Sequence, residues 1–517
     1  MNSLRRACHV HLSVLGVGLL TGASAARAQD GMPYVLFGEP ETWFGTTVAT
    51  GGDVNRDEHP DIFVAAPEGY YLGNWSIYSG ADGSLLGTGE PSAGTVRARM
   101  NAEFIGDVNS DGRDDFVIGA GMGWSMGVPT LPGLVEVRSG RNGATIWSYI
   151  PDDVSDQIGC DVSGGGDLTG DGISDVVAAG PEDLGGRVRA FDGTNGQILL
   201  DVPFDYVRRA IFAGDLNADG VVDMLASSPN ADLPGPSREV RAISGATGET
   251  LWAVQKSFDE GQYFGHTMAM VGDLDGDLVP DVAASQPRPR ISQDQGVLIF
   301  SGRTGALIRF IPLAAADDGP WDLVVGDFNG DGTNELIMYA TSGEARAIGA
   351  DLSTATTLYT VASRPTVATL TGNELVTADF NRDGFDDVVL GASDVPRVDV
   401  LSGSRLRLDM LNGGFTRHGD RRDVYIRSAT PNSRVIVAAS FAGNGRTFIP
   451  PLNFTIDLSN PFTVIADGHA DSTGYVRFIL RVPNGTPLGY FWMQAIEIAS
   501  GGVVTKSNVV QQEVLAD

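Results

Sequence analysis

One nine-residue acidic pattern recurs seven times along this chain of 517 residues. It reads Asp-x-Asn/Asp-x-Asp-Gly-x-x-Asp or a close variant. The copies start at Asp53, Asp107, Asp167, Asp215, Asp273, Asp327 and Asp379, at intervals of 48 to 60 residues. Similar segments flank every copy, so the repeated object is a whole supersecondary unit. A period of that size means a propeller or a solenoid.

The unit is fullest around the fifth copy. Tyr263 to Gly272 alternates as a strand, the acidic loop follows, and Val282-Ala283-Ala284, Val297 to Phe300 and Leu307 to Phe310 supply three more. A turn at Ser301-Gly302 to Gly305 joins the last two. The strand after the loop recurs at Ile62 to Val64, Phe116 to Ile118, Val176 to Ala178, Met224 to Ala226, Leu336 to Met338 and Val388 to Leu390. The turn recurs at Ser79-Gly80, Ser139-Gly140, Asp192-Gly193, Ser244-Gly245 and Ser402-Gly403, and is blurred near Asp351 to Thr357. Tandem four-stranded units predict an all-β chain whose residues 29–411 form a seven-bladed β-propeller. Its closing strand is either Tyr34 to Phe37 or Arg405 to Leu411. Residues 412–517 carry runs such as Val435 to Val437, Val476 to Leu480 and Tyr490 to Met493, and predict a small C-terminal β-sandwich. The 68 Gly and 26 Pro suit many tight turns, and no stretch shows sustained helical periodicity.

The net charge is −30, with 65 acidic residues, and 22 of those sit at ligand-type positions of the seven loops. Nucleic acid is excluded as a partner, because a phosphate-binding face needs clustered basic residues and the chain has only Lys256, Lys506 and scattered arginines. The first 28 residues read as a secretory signal: Arg5 and Arg6, an apolar run from Val10 to Leu20, then Ala26-Arg27-Ala28 before Gln29. The run is too short for an ordinary membrane anchor, so no transmembrane segment is expected after cleavage. Cys8 leaves with the signal and Cys160 remains alone, so no internal disulfide can form.

Calcium takes about six to eight hard oxygens at ~2.3–2.6 Å. Oxygen side chains at positions 1, 3 and 5 of a curled loop aim at one point, position 7 adds a carbonyl, and position 9 closes with a carboxylate. Gly at position 6 permits the left-handed bend. Magnesium demands stricter geometry and softer metals want His or Cys. Three copies are complete: Asp107, Asn109, Asp111 and Asp115; Asp215, Asn217, Asp219 and Asp223; Asp379, Asn381, Asp383 and Asp387. The sixth, Asp327, Asn329, Asp331 and Glu335, closes with a longer acid. The third keeps Asp167, Asp171 and Asp175 around Thr169. The first, Asp53, Asn55, Asp57 and Asp61, has Glu58 in place of Gly, and the fifth, Asp273, Asp275, Asp277 and Asp281, has Leu278. For these last two the competing expectation is a hairpin turn held by Asx hydrogen bonds. Up to one Ca2+ per loop is expected.

These residues resemble the FG-GAP repeats of the integrin alpha-subunit propeller. Phe44-Gly45 and Phe264-Gly265 stand for its FG, and Ala65-Ala66-Pro67, Ala179-Gly180-Pro181 and Ser227-Ser228-Pro229 lie near its GAP. The resemblance covers residues 34–411. It implies a seven-bladed propeller with calcium in its blade loops, used outside the cell for adhesion or assembly, and it looks like a secreted bacterial-type relative.

Catalytic patterns are thin by comparison. Gly123-Trp124-Ser125-Met126-Gly127 matches a nucleophile elbow in letters but lies in a Gly-rich loop, not at a strand-to-helix turn. His59, His266, His418 and His469 are isolated. Gly140 to Trp147 and Gly245 to Trp252 resemble blade-end motifs of quinoprotein dehydrogenases, where they dock blades. The expectation is therefore a secreted or surface-borne calcium-binding scaffold, monomeric, with no catalytic residues, whose partner is an extracellular protein or polysaccharide; the periplasm is a further location. The alternative is an extracellular hydrolase, acting on lipid, phospholipid or glycan, built on the same propeller.

Overall fold

Each acidic loop turns the chain from the first strand of a sheet into its second. The computed structural model describes residues 24–25, 35–38, 43–66, 73–92, 99–121, 132–182, 185–229, 238–257, 263–287, 295–312, 320–328, 334–340, 344–348, 357–363, 375–382, 384–392, 397–401, 407–410, 421–427, 432–449, 454–471, 475–481, 486–498 and 504–514. Among them every regular element is a strand. Six consecutive antiparallel sheets of four strands span residues 47–89, 99–149, 161–203, 209–256, 268–312 and 320–363. A further sheet holds Leu375–Ala378, Asp387–Ala392 and Arg397–Leu401. We number these sheets one to seven in chain order.

Sheet seven is completed from the other end of the chain. Val35–Phe37 pairs antiparallel with Arg397–Leu401, matching Leu36 to Val398, and Ser24–Ala25 pairs with Val35–Phe37 in turn. Leu36 is fully buried in a core shared with Phe44 before sheet one, Val48, Val64 and Tyr78 of sheet one, Phe380 of the seventh loop, and Val389 and Val398 of sheet seven. Of the two sequence candidates for the closing strand, the N-terminal one takes the place. The expected strand at Tyr263 starts later, at Met268: Phe264-Gly265 forms a turn, with Gly265 at φ 75° and its N–H donating to Ser285 O at 2.8 Å.

The first strands of the sheets face a common axis, where a cavity of about 310 Å³ is lined by Thr50, Glu103, Arg209, Thr267, Asp322 and Thr377 among others. Polar groups on the first strands, or just before them, link neighbouring sheets from sheet one through sheet seven. Thr47 Oγ1 donates to Met100 O at 2.6 Å, and Asn101 Nδ2 donates to Asp161 Oδ1 at 3.2 Å. Asp161 accepts from Arg209 Nη1 at 3.1 Å and from Ala210 N at 3.0 Å, and Arg209 Nε reaches His266 O at 3.2 Å. Asp322 accepts from Thr267 Oγ1 at 3.2 Å and Leu375 N at 3.0 Å. A buried carboxylate is costly unless it is bonded. Here Asp161 and Asp322 satisfy the neighbouring strand as well as themselves.

On the outside, tryptophans dock one sheet on the next. Trp147 Nε1 donates to Gly193 O at 2.7 Å and Trp252 Nε1 to Gly302 O at 2.6 Å. Their indoles cover Gly196 and Gly305, where a Cβ would stand 2.6 and 2.7 Å from ring atoms. The Gly-x-x-Gly and Trp motifs thus dock sheets, as their sequence suggests.

Past sheet seven, Arg407–Met410, Arg421–Arg427 and Val476–Arg481 form one sheet and Phe462–His469, Arg434–Ser440, Gly489–Ile498 and Val504–Val514 another. Val424, Ile426 and Val476 of the first share a core with Val435, Val437, Met493 and Ala495 of the second, giving a sandwich. Arg407–Met410 pairs with Arg421–Arg427 and so belongs to these sheets, not to sheet seven. Among the described residues no helix is long and apolar enough to cross a membrane.

Candidate metal centre

Two carboxylates per loop set its shape. In the fourth loop Asp215, at position 1, accepts the N–H groups of Asp219 at 3.1 Å and Gly220 at 2.9 Å. Asp223, at position 9, accepts Leu216 N at 2.8 Å and Asn217 N at 3.2 Å through Oδ2, and Gly245 N at 3.0 Å through Oδ1. The pattern repeats wherever the loops are described. The Oδ1 of Asp61, Asp115, Asp175 and Asp281 takes the N–H of Gly80, Gly140, Gly193 and Gly302. Position 9 is buried in every copy, at 2 % exposure or less. It is therefore a latch between the acidic loop and the later Ser-Gly turn as well as a potential ligand.

The same contact explains that turn's glycine. A Cβ at Gly80, Gly140, Gly193, Gly245 or Gly302 would sit 1.7–1.9 Å from the position-8 carbonyl of the loop. Position 2 is apolar for a related reason: side chains of Val54, Leu168, Leu216 and Phe380 pack under the Ser-Gly turn of the following sheet, at Gly140, Gly245, Gly302 and Gly80. Neither role was read from the sequence, although the Ser-Gly step kept phase with the loops.

Among the described loops position 6 is left-handed whatever occupies it. Gly112, Gly172, Gly220 and Gly384 have φ of 81–89°, and Glu58 and Leu278 reach 68° and 70°. Their N–H groups still cap position 1, Glu58 N on Asp53 Oδ2 and Leu278 N on Asp273 Oδ2, each at 2.8 Å. The bend thus survives without glycine, at the cost of αL strain. The Asx hydrogen bonds expected of a plain turn are present in the complete and the degenerate loops alike.

Charge is unevenly tolerated. Burial pushes Asp61 up to about 7 and Asp115 up to about 6, against the lowering effect of the amides they accept. Burial raises Asp175, Asp223 and Asp281 as well. Position 1 of the fifth loop goes the other way, since the N–H groups of Leu278, Gly276 and Asp277 hold Asp273 below its ordinary value.

The residues fit a hard cation. Asp273, Asp275 and Asp281 each offer one carboxylate oxygen, and these oxygens all lie within 4.8 Å of one another. Ligands at ~2.3–2.6 Å from one ion are at most about 5 Å apart, so the three can share a calcium. All donors are oxygen, with neither His nor Cys among them. Asp277 is held apart from that trio: Arg303 Nε donates to its Oδ2 at 3.0 Å and Arg303 Nη2 to its carbonyl at 3.1 Å. In the first and fourth loops, positions 3 and 5 are adjacent, Asn55 Nδ2 to Asp57 Oδ2 at 2.8 Å and Asn217 Nδ2 to Asp219 Oδ2 at 2.9 Å. Asn329, Asp331 and Asp383 lie outside the described residues, as does the Gly123 to Gly127 segment, and His418 with them. Glu335 keeps the latch with Phe328 N at 3.0 Å, and Asp387 with Phe380 N at 3.0 Å. Asp379 accepts Gly384 N at 2.9 Å.

Comparison with known proteins places this geometry in context. An FG-GAP-like repeat model matches residues 53–118, and a FAM234A/B β-propeller model matches residues 186–314. Integrin alpha-PS5 of Drosophila melanogaster is 27 % identical over 158 residues, and integrin alpha-4 of Xenopus laevis is 29 % identical over 161. Integrin alpha-V of Gallus gallus is 28 % identical over 155 residues. These matches cover 27–28 % of this chain and 15 % of each relative's length. Among solved structures, BBS1N in complex with ARL6DN aligns with a TM-score of 0.45 at 13 % identity over 73 % of this chain and 97 % of that one. The Dos1 propeller aligns with a TM-score of 0.41 at 8 % identity, over 72 % and 92 %. The chain is thus similar over part of its length to FG-GAP repeats and to integrin alpha propellers, and its consecutive four-stranded sheets are those of a β-propeller.

Proposed function

We propose that this FG-GAP propeller is an exported, calcium-loaded scaffold that binds an extracellular protein or polysaccharide and carries out no chemistry itself. It acts as a monomer, and residues 1–28 are removed on export. The observation that carries the reading is the convergence of Asp273, Asp275 and Asp281 in one of seven loops that share a spacing and a fold. The integrin alpha relatives support a ligand-binding use of the propeller. Calcium would relieve the repulsion among three or four carboxylates in each loop and stiffen the face they form.

The test combines ion counting with binding. Residues 29–517 are dialysed against calcium, their bound ions are counted, and they are incubated with cell envelopes and a polysaccharide panel, with and without chelator. Expected are several calcium ions per chain and a captured ligand that is released by chelator and recaptured on adding calcium. A folded protein that binds no calcium refutes the metal assignment. A calcium-loaded protein that retains nothing refutes the scaffold reading for those ligand classes.

A further inference from the structure

The loops are not spaced evenly in their bonding. Position 8 is an aspartate in the second and seventh loops, and there it reaches across to position 1 of the preceding loop. Asp53 N donates to Asp114 Oδ2 at 2.8 Å, and Asp327 N donates to Asp386 Oδ2 at 2.8 Å. The return bond Asp386 N to Asp327 O is 2.8 Å as well. Arginines reinforce the first pair. Arg56 Nη2 donates to Asp111 O at 2.8 Å, Arg56 Nε to Gly112 O, and Arg113 Nη1 to Val54 O. A Cβ on Gly112 would fall 1.6 Å from Arg56 Nη2, so that glycine admits the neighbouring loop's guanidinium as well as the bend. The seventh and first loops also touch, through Arg382 to Glu58 and His59 Nδ1 to Phe380 O at 2.6 Å. The third, fourth and fifth loops have Ser174, Val222 and Pro280 at position 8 and no carboxylate to hand across.

We infer that Asp114 couples calcium filling of the first and second loops, and that Asp386 does the same for the sixth and seventh, while the third to fifth loops fill independently. The inference rests on the calcium reading above. Asp114 grips the backbone of Asp53, the residue that caps the first loop, and Arg113 carries the position-7 carbonyl of the second loop while its side chain holds the first. Drawing either loop onto an ion therefore fixes backbone that the other must also fix. Coupling of this kind is reciprocal and commonly changes affinity by about fivefold or more.

The test uses the full chain and follows amide hydrogen exchange of residues 107–115 and 215–223 as calcium is added. Disabling the first loop with Asp57→Asn is expected to raise the calcium midpoint of the second loop about fivefold or more and to leave the fourth loop's midpoint in place. Asp114→Ser installs the residue type the third loop carries at this position. In that background the effect of Asp57→Asn on the second loop is expected to shrink, with only the Arg56 and Arg113 bridges left between the two loops. A second-loop midpoint unmoved by Asp57→Asn overturns the coupling, and so does a shift that persists undiminished in Asp114→Ser. Absence of calcium-dependent protection at both the second and the fourth loop overturns the calcium reading and the coupling together; a fourth loop that responds separates the two failures.

Discussion

Replacing Asp223 with alanine separates the latch from the ligand. The substitution removes the acceptor of three amides, Leu216 N at 2.8 Å, Asn217 N at 3.2 Å and Gly245 N at 3.0 Å. Leu216 and Gly245 are buried, and a buried amide left unmade costs about 1–3 kcal/mol. The gross loss is then about 2–6 kcal/mol. Part of it is returned, because burial disfavours the Asp223 carboxylate and alanine escapes that penalty. A net loss of about 2–4 kcal/mol follows. Asp219, at position 5, is exposed and caps no neighbouring turn. Asp219→Ala should cost under ~1 kcal/mol without metal. The assay is urea denaturation of wild type and both variants in chelator, with hydrogen exchange over residues 238–250 to localise the damage. Asp223→Ala should loosen the Ser244 to Gly248 turn in chelator, whereas Asp219→Ala should show its defect only when calcium is added. Equal stability of Asp223→Ala and wild type in chelator would refute the latch.

The remaining predictions concern strain and the axis. Leu278 holds φ 70° with 90 % of its surface exposed, so Leu278→Gly should stabilise the protein by about 1 kcal/mol, seen as a raised melting temperature in chelator. An unchanged or lowered melting temperature would mean that Leu278 makes a compensating contact. Burial in the axial cavity pushes Glu103 up to about 7 against bonds from Ser163 and Gly164. Its folded pKa lies above the unfolded one, so the folded state holds the extra proton; the stabilising contribution is full below about pH 4.5 and is lost as pH rises through about 7. Glu103→Gln should thus stabilise the protein by on the order of 1–3 kcal/mol at pH 8 and hardly at all at pH 5, measured by thermal melts in chelator. Equal effects at both pH values would contradict a neutral Glu103.

The repeat made most of the fold legible. A nine-residue pattern with fixed phase placed the second strand of each sheet within a residue or two, and the all-β propeller and the sandwich followed from turn spacing. The FG step misled at Tyr263, because Phe264 is apolar in sequence for a reason unrelated to strand alternation: it is a buried turn residue packed edge-on against Phe300, at 6.0 Å and 73°. Ring closure could not be read, since Val35–Phe37 and Arg407–Met410 are equally strand-like and only the burial of Leu36 between sheets one and seven separates them. At the site, positions 1, 3, 5 and 9 were visible as oxygen donors. Their second role was not, because a carboxylate that ligates and one that caps amides have the same letter. The left-handed position 4 was hidden as well. Arg56, Ser110, Ala218 and Arg382 sit there at φ 56–66° without the glycine that usually announces such a bend.

Two rings of inter-sheet bonds divide the work of keeping the sheets in register. Near the axis, Asn101, Asp161, Arg209, Thr267 and Asp322 hand hydrogen bonds from one first strand to the next. These groups are buried or nearly so, and leaving one unpaired is expensive, so this ring tolerates little variation in geometry. At the loops the contacts are graded instead: position 2 packs under the next turn at the first, third, fourth and seventh loops, and polar and charge-assisted bonds are added from the sixth loop through the seventh and first to the second. On the coupling proposed above, an ion arriving in a loop would pull on its neighbour along the bonded arc and not along the other. The closing strand joins sheets one and seven inside the bonded arc. If the loops fill as proposed, metal filling and ring closure bear on the same seam, and the sheets on either side of Val35–Phe37 are where removal of calcium should first be felt as exchange of backbone amides.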